Sequence, residues 1–417
     1  MAAAAPEIGP LSTAEATPRT HWLAVLAAST AGVAVAMNIG KVPVALPTLR
    51  QELGLSLVQA GWVSSMLTTL AAGLALLTGM CVGRLGALRL ALGGLGLTAL
   101  ASLAALAVPA GFAGLLLTRF AEGLGFMMVV VSAPALVMAS AASADRRFAL
   151  SIWSAFMPAG AALGLAAGPW LIPALGWRGL WLCVSLALLL AAAALWSQRR
   201  HYPGSAPKVA QLSFLGPVRQ ALGQPLPWLL APCFGMWAVQ HFALIVWMPS
   251  YLIEQRGMGT AAAALWTALM LVLNVPGNLC GGWLAQRGLS RGGQLGLGHL
   301  GTGLGALLYA SEGLPDGLRL AAALWVSFIG GLIPSAVLSS SSLLARDAQQ
   351  TGTLQGLYIQ TTQLAQFIGT PLIAASVAAA GSWTAGARFV VLPAALIGIL
   401  LALAAVPAER RLAWRAA

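Results

Sequence analysis

Three ionisable residues lie inside long apolar runs of the chain: Lys41, Arg119 and Glu122. At membrane depth such a group costs about 2.5–3.5 kcal/mol on insertion scales, so each needs a partner or a task. Arg119 and Glu122 are three residues apart and share a helix face, so they can pair. The pair is either a structural tie between helices or part of a solute site. Lys41 has no acidic neighbour along its own run. Either its ammonium snorkels to the interface, or it stands in a polar cavity as a cation for an anionic ligand. Glu122 is the only acidic residue deep in a run, which makes it the candidate proton carrier.

The second half offers hydrogen-bonding and aromatic groups instead of charge. Trp237, Gln240, His241 and Trp247 share one run, and Asn274 stands beside Pro276 in the next. Gln355, Tyr358, Thr362 and Gln366 recur at spacings of three and four and form one polar stripe, with Gln363 beside it. In lipid such a stripe must face protein or water. It serves either as interhelical hydrogen-bonding glue or as solute contact. His299 is read as a structural histidine.

Several other patterns carry no chemistry. Gly296-Leu297-Gly298-His299-Leu300-Gly301 spells a dinucleotide fingerprint, but no strand precedes it and it lies in a glycine-rich apolar run. No Walker lysine motif is present, so ATP-driven transport is not expected. Ser339 to Ser342 has no base nearby in sequence and reads as a polar helix end. Cys81, Cys183, Cys233 and Cys280 all fall in apolar stretches without short spacing, as small buried hydrophobes do. No cofactor and no metal is called for.

The elements that position these residues follow from composition. Of 417 residues, 59% are hydrophobic and 8% charged, about a third of the charge that a soluble surface carries. The net charge of +12 comes in ones and twos at the ends of apolar runs, not on a face, which argues against nucleic acid. Spanning helices of about 20 residues are expected near 22–45, 57–82, 87–108, 112–140, 148–173, 178–196, 227–252, 260–284, 294–310, 318–342, 353–378 and 385–406. The fold class is therefore all-α and integral to a membrane, with twelve spans. Residues 1–20 read as a disordered tail, 21–196 as an N-terminal six-helix bundle, 197–225 as a central loop and 226–417 as a second bundle. With both termini cytoplasmic, fifteen Lys and Arg residues fall inside and five outside, Arg319 among the latter, which sets the orientation.

The halves repeat. Pro47 and Arg84 are 37 residues apart, Pro249 and Arg287 are 38 apart, and an offset of 202 carries both Pro47 to Pro249 and Pro169 to Pro371. Two similar bundles related by a pseudo-two-fold axis can rock about a site near the midplane. At this point the chain resembles the major facilitator superfamily over essentially its whole length. The loop after the second span, Gly79-Met80-Cys81-Val82-Gly83-Arg84-Leu85-Gly86, resembles that family's gating motif with Gly83 in place of its Asp. Gly282-Trp283-Leu284-Ala285-Gln286-Arg287-Gly288 is the second copy, with Gln286 at the Asp position. Arg119-Phe120-Ala121-Glu122-Gly123 resembles the fourth-helix pattern, and Gly160, Gly164 and Gly168-Pro169 the fifth. Asn38-Ile39-Gly40-Lys41 and Gln240-His241-Phe242 with Trp247-Met248-Pro249 are similar to the cyanate and nitroimidazole branch of small organic-anion transporters.

The resemblance implies that the first and fourth spans line a central cavity. The expected solute contacts are Lys41, Arg119, Asn38, Gln240, His241, Trp247, Tyr358 and Gln363, with Glu122 coupling protons. The expected gating loops hold Gly79, Arg84, Gly86, Gly282 and Arg287. The function expected is secondary transport of a small organic anion by alternating access, proton-coupled, by a monomer in the bacterial inner membrane. Its partners would be the solute, the proton and the lipid bilayer. Drug/proton export is the alternative, resting on the glycine pattern of the fifth span; a transporter-like sensor is a further one. No catalytic constellation points to an enzyme.

Overall fold

The computed structural model describes residues 19–68, 85–107, 111–142, 145–202, 223–344 and 348–416. Among them the chain is helical almost throughout and contains no strand. The expected gating residues Gly79 and Arg84 lie outside the described residues.

The helices follow from long apolar segments ended by local punctuation. α1 (Trp22–Leu53) stops at Gly54, whose φ of 63° lets its N–H turn back to the Arg50 carbonyl. α2 (57–68) opens with a capping box in which Ser56 and Gln59 exchange hydrogen bonds of 2.9 and 3.1 Å. α3 (Ala87–Ala107), α4 (Phe112–Ser140), the short α5 (Arg146–Ser154) and α6 (Phe156–Ser197) complete the first half. The second half comprises α7 (Pro225–Glu254), α8 (Thr260–Gln286), α9 (Arg291–Ala310), α10 (Asp316–Gly330), α11 (Leu332–Leu344), α12 (Ala348–Ala380), α13 (Trp383–Gly386) and α14 (Leu392–Ala416). A π-helical turn, Ala387–Val391, joins α13 to α14.

Nine described helical segments are long and apolar enough to cross a membrane, α10 with α11 counting as one and α13 with α14 as another. One of them, α6, runs 42 residues and makes two crossings, because Gly176 (φ 66°, ψ −175°) reverses the chain inside it. The turn expected between the spans ending at 173 and beginning at 178 is thus made by a single glycine of positive φ, a conformation costly for any residue with a Cβ. The glycine-rich α9 supplies a further crossing of 20 residues, and α2 is the described part of the second span. Twelve crossings result.

The two halves pack alike. In the first, α1 lies against α6, α3 against α4, and α3 against α6. In the second, α7 lies against α12 and α14, α9 against α10, and α9 against α14. Matching these pairs in order gives two six-helix bundles related by a pseudo-two-fold axis, as the 202-residue offset predicts. Between the bundles, α6 meets α8 and α1 meets α7. At the face where α1 ends, Arg50 and Glu254 form a two-pronged ion pair at 2.6 and 2.7 Å across the bundles. Just below it, Trp62 stacks edge-on against Phe367 at 5.0 Å. This face is closed.

Arg319 departs from expectation. It is not a loop cation but a residue of α10, 2% exposed. The helix starts at Asp316, two residues before the start of the expected span at 318, so Arg319 falls in its first turn.

Candidate functional site

Lys41 stands 19 residues into α1, about 28 Å along it at 1.5 Å per residue. α1 and α6 touch there backbone to backbone. A Cβ on Gly40 would collide with the Ala161 carbonyl, and one on Gly164 with the Met37 carbonyl. The glycines noted in the fifth span therefore let α6 press against the lysine's own turn.

The Lys41 ammonium is fully buried and does not snorkel. Nζ lies 2.8 Å from Glu122 Oε1 and donates to Ser102 Oγ at 2.8 Å. It also sits 4.5 Å above the Trp181 ring, a cation–π contact. Ser102 Oγ donates to the same Glu122 oxygen at 2.5 Å. The other carboxylate oxygen takes Arg119 Nη1, and Arg119 Nε donates to the Val63 carbonyl at 3.2 Å. Asn38 lies beside Ser102 and spends its amide N–H₂ on the Val35 carbonyl at 3.2 Å. Helices α1, α2, α3, α4 and α6 thus converge on one carboxylate that faces two cations, and the cluster carries a formal charge of +1. Glu122 and Arg119 pair as their spacing foretold. The long-range partner of Lys41 is the residue it lacked along its own helix.

The uncharged candidates in the second bundle sit otherwise. Gln240 Nε2 is 2.9 Å from His299 Nδ1, and its carbonyl accepts from Thr302 Oγ1 at 2.6 Å. His299 Nε2 in turn faces Cys233 Sγ at 3.3 Å. Gln240 and His299 therefore belong to one buried hydrogen-bonded network between α7 and α9. Tyr358 is fully buried, its hydroxyl 3.0 Å from Ser340 Oγ. Gln355 bonds the Leu338 carbonyl and Ser341 Oγ at 3.1 and 2.8 Å. Of the polar stripe of α12, Gln355 and Tyr358 bond to α11, while Thr362 bonds the Ile359 carbonyl of its own helix at 2.7 Å.

His241 stacks on Trp237 at 4.9 Å, and its Nδ1 is buried without a partner. Trp247 Nε1 donates to the Thr370 carbonyl at 3.1 Å. Gln363 is half-buried and makes no side-chain hydrogen bond among the described residues. Asn274 Nδ2 donates to the Ser327 carbonyl at 2.9 Å, joining α8 to α10. Of the expected gating residues, Gly86 has a φ of 84° and Arg287 stacks over Trp283 at 4.8 Å. Gly282 lies near Ser335.

Sequence reasoning missed Ser102, Trp181 and the Arg50–Glu254 pair. Ser102 is one of two hydroxyl residues, with Thr98, in an alanine and leucine helix, and nothing in its own segment singles it out. The pair spans 204 residues, so only the tertiary arrangement reveals it. Among the described residues no group of three or more His, Cys, Asp or Glu side chains converges as a metal site requires.

A sequence profile of the Major Facilitator Superfamily matches residues 28–370. A probable sulfoacetate transporter of Cupriavidus necator is 29% identical over 290 residues, 64% of this chain and 64% of that protein. The methylenomycin A resistance protein of Streptomyces coelicolor is 25% identical over 58% of this chain and 48% of its own length. The chain thus spans less than two thirds of the curated relatives it matches. A bacterial homologue of the human lysosomal transporter Spinster, in an inward-facing and unoccupied conformation, superposes with a TM-score of 0.77. It is 15% identical, with 93% of this chain and 96% of that one covered. The D-xylose–proton symporter gives a TM-score of 0.74 at 14% identity, covering 92% and 97%. Both likenesses concern the fold.

Proposed function

The chain belongs to the Major Facilitator Superfamily and is a multi-pass membrane transporter; on that footing we propose that it moves a small organic anion, coupled to protons, by alternating access. The observation that carries this reading is the buried cluster of two cations on one carboxylate. An isolated structural pair would need one cation, and the excess positive charge suits an anionic solute. The relative described as a probable sulfoacetate transporter supports the same class, since sulfoacetate is small and carries only acidic groups.

Glu122 is the coupling residue in this scheme. While ionised it occupies Lys41 and Arg119; once protonated it is neutral, and both cations become available to the solute. Proton and anion then load together. Asn38, His241, Trp247 and Gln363 contact the uncharged part of the solute as the bundles rock. Gln240 and Tyr358 act behind them through their buried hydrogen bonds. Residues 21–196 and 226–417 are the moving bundles, 1–20 and 197–225 cytoplasmic segments, and Gly79–Gly86 and Gly282–Arg287 the gating loops. One chain supplies the whole path, so a monomer suffices. The lysine and arginine bias supports a bacterial inner-membrane protein with both termini in the cytoplasm.

The test is accumulation of radiolabelled sulfoacetate in proteoliposomes under an imposed pH gradient. Glu122→Gln is expected to abolish gradient-driven accumulation while leaving counterflow exchange measurable. A Glu122→Gln protein that still concentrates solute in response to external acid would overturn the coupling role, and His241 would be the next residue to test. The second reading, proton-driven export, is favoured by the methylenomycin A resistance relative. Efflux of a cationic dye with no uptake of any organic anion would establish it instead.

A further inference from the structure

One side chain joins the charge cluster to the closed face. Arg119 is 1% exposed, and its guanidinium is engaged on two edges. Nη1 donates to the Glu122 carboxylate, and Nε donates to the Val63 carbonyl of α2 at 3.2 Å. Val63 is the neighbour of Trp62, whose ring meets Phe367 of α12 at 5.0 Å. One residue earlier, Gly61 faces the Pro371 backbone of α12 so closely that a Cβ would lie 2.9 Å from it. The turn of α2 that Arg119 holds is therefore the turn that closes on the second bundle.

A second contact between α4 and α2 shows how that turn can move. A Cβ on Gly123 would strike the Leu67 carbonyl. Arg119 and Gly123 are four apart on α4, and Val63 and Leu67 are four apart on α2. The two contacts thus lie on one shared face, about 6 Å apart along the helices. They differ in kind. The glycine contact is backbone against backbone, with no moving part, and serves as a pivot. The arginine contact is made by a side chain that also serves Glu122. A guanidinium is planar and rigid, so a turn that follows the carboxylate on one edge changes the aim of Nε on the other.

We infer that Arg119 is a positioning residue for the closed face: through the Val63 carbonyl it keeps α2 seated on α12, and it releases α2 to pivot at Leu67 when Glu122 loses its charge. Only the trigger rests on the role proposed for Glu122; the latch itself needs neither proton nor solute. It acts on Trp62 and Gly61 through α2 and touches nothing in the second bundle.

The test reads the seal and not transport. Thr370 of α12, 1% exposed, is replaced by cysteine in the full chain. Its labelling by a membrane-impermeant maleimide, applied at the closed face in intact cells, is timed against the chain without that cysteine. Arg119→Lys keeps a cation for Glu122 but has no second edge for Val63. It is expected to label about tenfold faster, the worth of one hydrogen bond from a charged group, and Glu122→Gln should also label faster. Trp62→Ala removes the seal directly and should label fast; adding Arg119→Lys should bring no further rise, because both changes act on one contact. Arg119→Gln repeats the measurement should Arg119→Lys fail to fold. Labelling at the wild-type rate in the Arg119 variants would overturn the inference. So would a full further tenfold in the Trp62→Ala background, the mark of a bundle loosened in general. Glu122→Gln that loses gradient-driven accumulation yet labels as wild type would refute the trigger with proton coupling intact. Accumulation that survives in Glu122→Gln while the Arg119 variants label fast would sink the coupling role and uphold the latch.

Discussion

The buried cluster predicts an asymmetry between its members that a simple ion pair would not show. Lys41 and Glu122 are both fully buried at 2.8 Å. At an effective dielectric of about 20 their attraction is about 6 kcal/mol before desolvation is subtracted. Glu122→Gln removes the one anion and leaves Lys41 and Arg119 buried together. Stripping a buried charge of its partner costs about 3–5 kcal/mol, and here two cations lose theirs. Lys41→Met leaves Glu122 still held by Arg119 and Ser102, a neutral set. Its cost is then that of one charged hydrogen bond, about 1.5–3 kcal/mol. The double variant leaves a single cation, Arg119, still donating to the Val63 carbonyl. The expected order of stability is wild type, Lys41→Met, the double variant, then Glu122→Gln. Thermal unfolding of purified protein in one detergent, at a fixed scan rate because such unfolding is commonly irreversible, measures it. The reasoning fails if Lys41→Met is as damaging as Glu122→Gln, or if the double variant is the least stable of the set.

Further outcomes follow from other contacts. Lys41→Ala and Arg119→Ala should each cut anion uptake severely while Lys41→Arg keeps a good part of it; normal uptake by well-expressed Lys41→Ala would count against an anion site. Gln240→Ala breaks the Thr302–Gln240–His299 network and should lower stability by about 1–3 kcal/mol, with unchanged rank among competing solutes; an altered rank would place Gln240 in contact with solute. Gly40→Ala should impair folding or insertion, because its Cβ has no room against the Ala161 carbonyl; a normal yield of well-behaved protein would show that α1 and α6 can separate. Arg50→Glu should open the closed face, read as increased labelling of a cysteine placed at Thr370, and adding Glu254→Arg should close it again; labelling that ignores both changes would deny the pair a gating role.

What was legible in the sequence was whatever obeys a local rule. Apolar length gave the spans, and the offset of 202 gave the duplication that α1 with α6 and α7 with α12 display. The i,i+3 spacing gave Arg119 with Glu122. Lys41 was visible as an anomaly, but its partner was not, because nothing along α1 encodes which face of α4 it meets. The polar residues of α7 and α12 were visible as polar and ambiguous as to purpose. A glutamine that lines a cavity and one that bonds a neighbouring helix satisfy the same requirement in lipid, so only the distances from Gln240 to His299 and Thr302 separate the two. Arg319 was assigned to a loop because charge at the edge of an apolar run is usually solvated.

Glycine contacts run through each bundle, whereas the bundles meet at the closed face mainly through side chains, with one glycine contact between them, Gly61 of α2 against the Pro371 backbone of α12. Within them, helices meet at glycines where a Cβ would strike a neighbour's backbone: Gly40 on Ala161 in the first bundle, Gly277 on Phe328 in the second. Such contacts have no slack, and sliding one helix along another would replace glycine by a larger side chain. Between the bundles at the closed face, the polar lock is Arg50–Glu254, with side chains 25% and 30% exposed. A solvated pair of that sort contributes about 0–1 kcal/mol, and the Trp62–Phe367 edge contact about 0.5–1.5 kcal/mol beyond its buried area. A ligand can shift a conformational equilibrium only by its differential affinity for the two states. These side-chain locks are within reach of one bound anion, whereas the glycine seams inside each bundle are not. In the proposed scheme, alternating access therefore parts α1 from α7 and α2 from α12, with the Lys41 cluster moving as part of the first bundle.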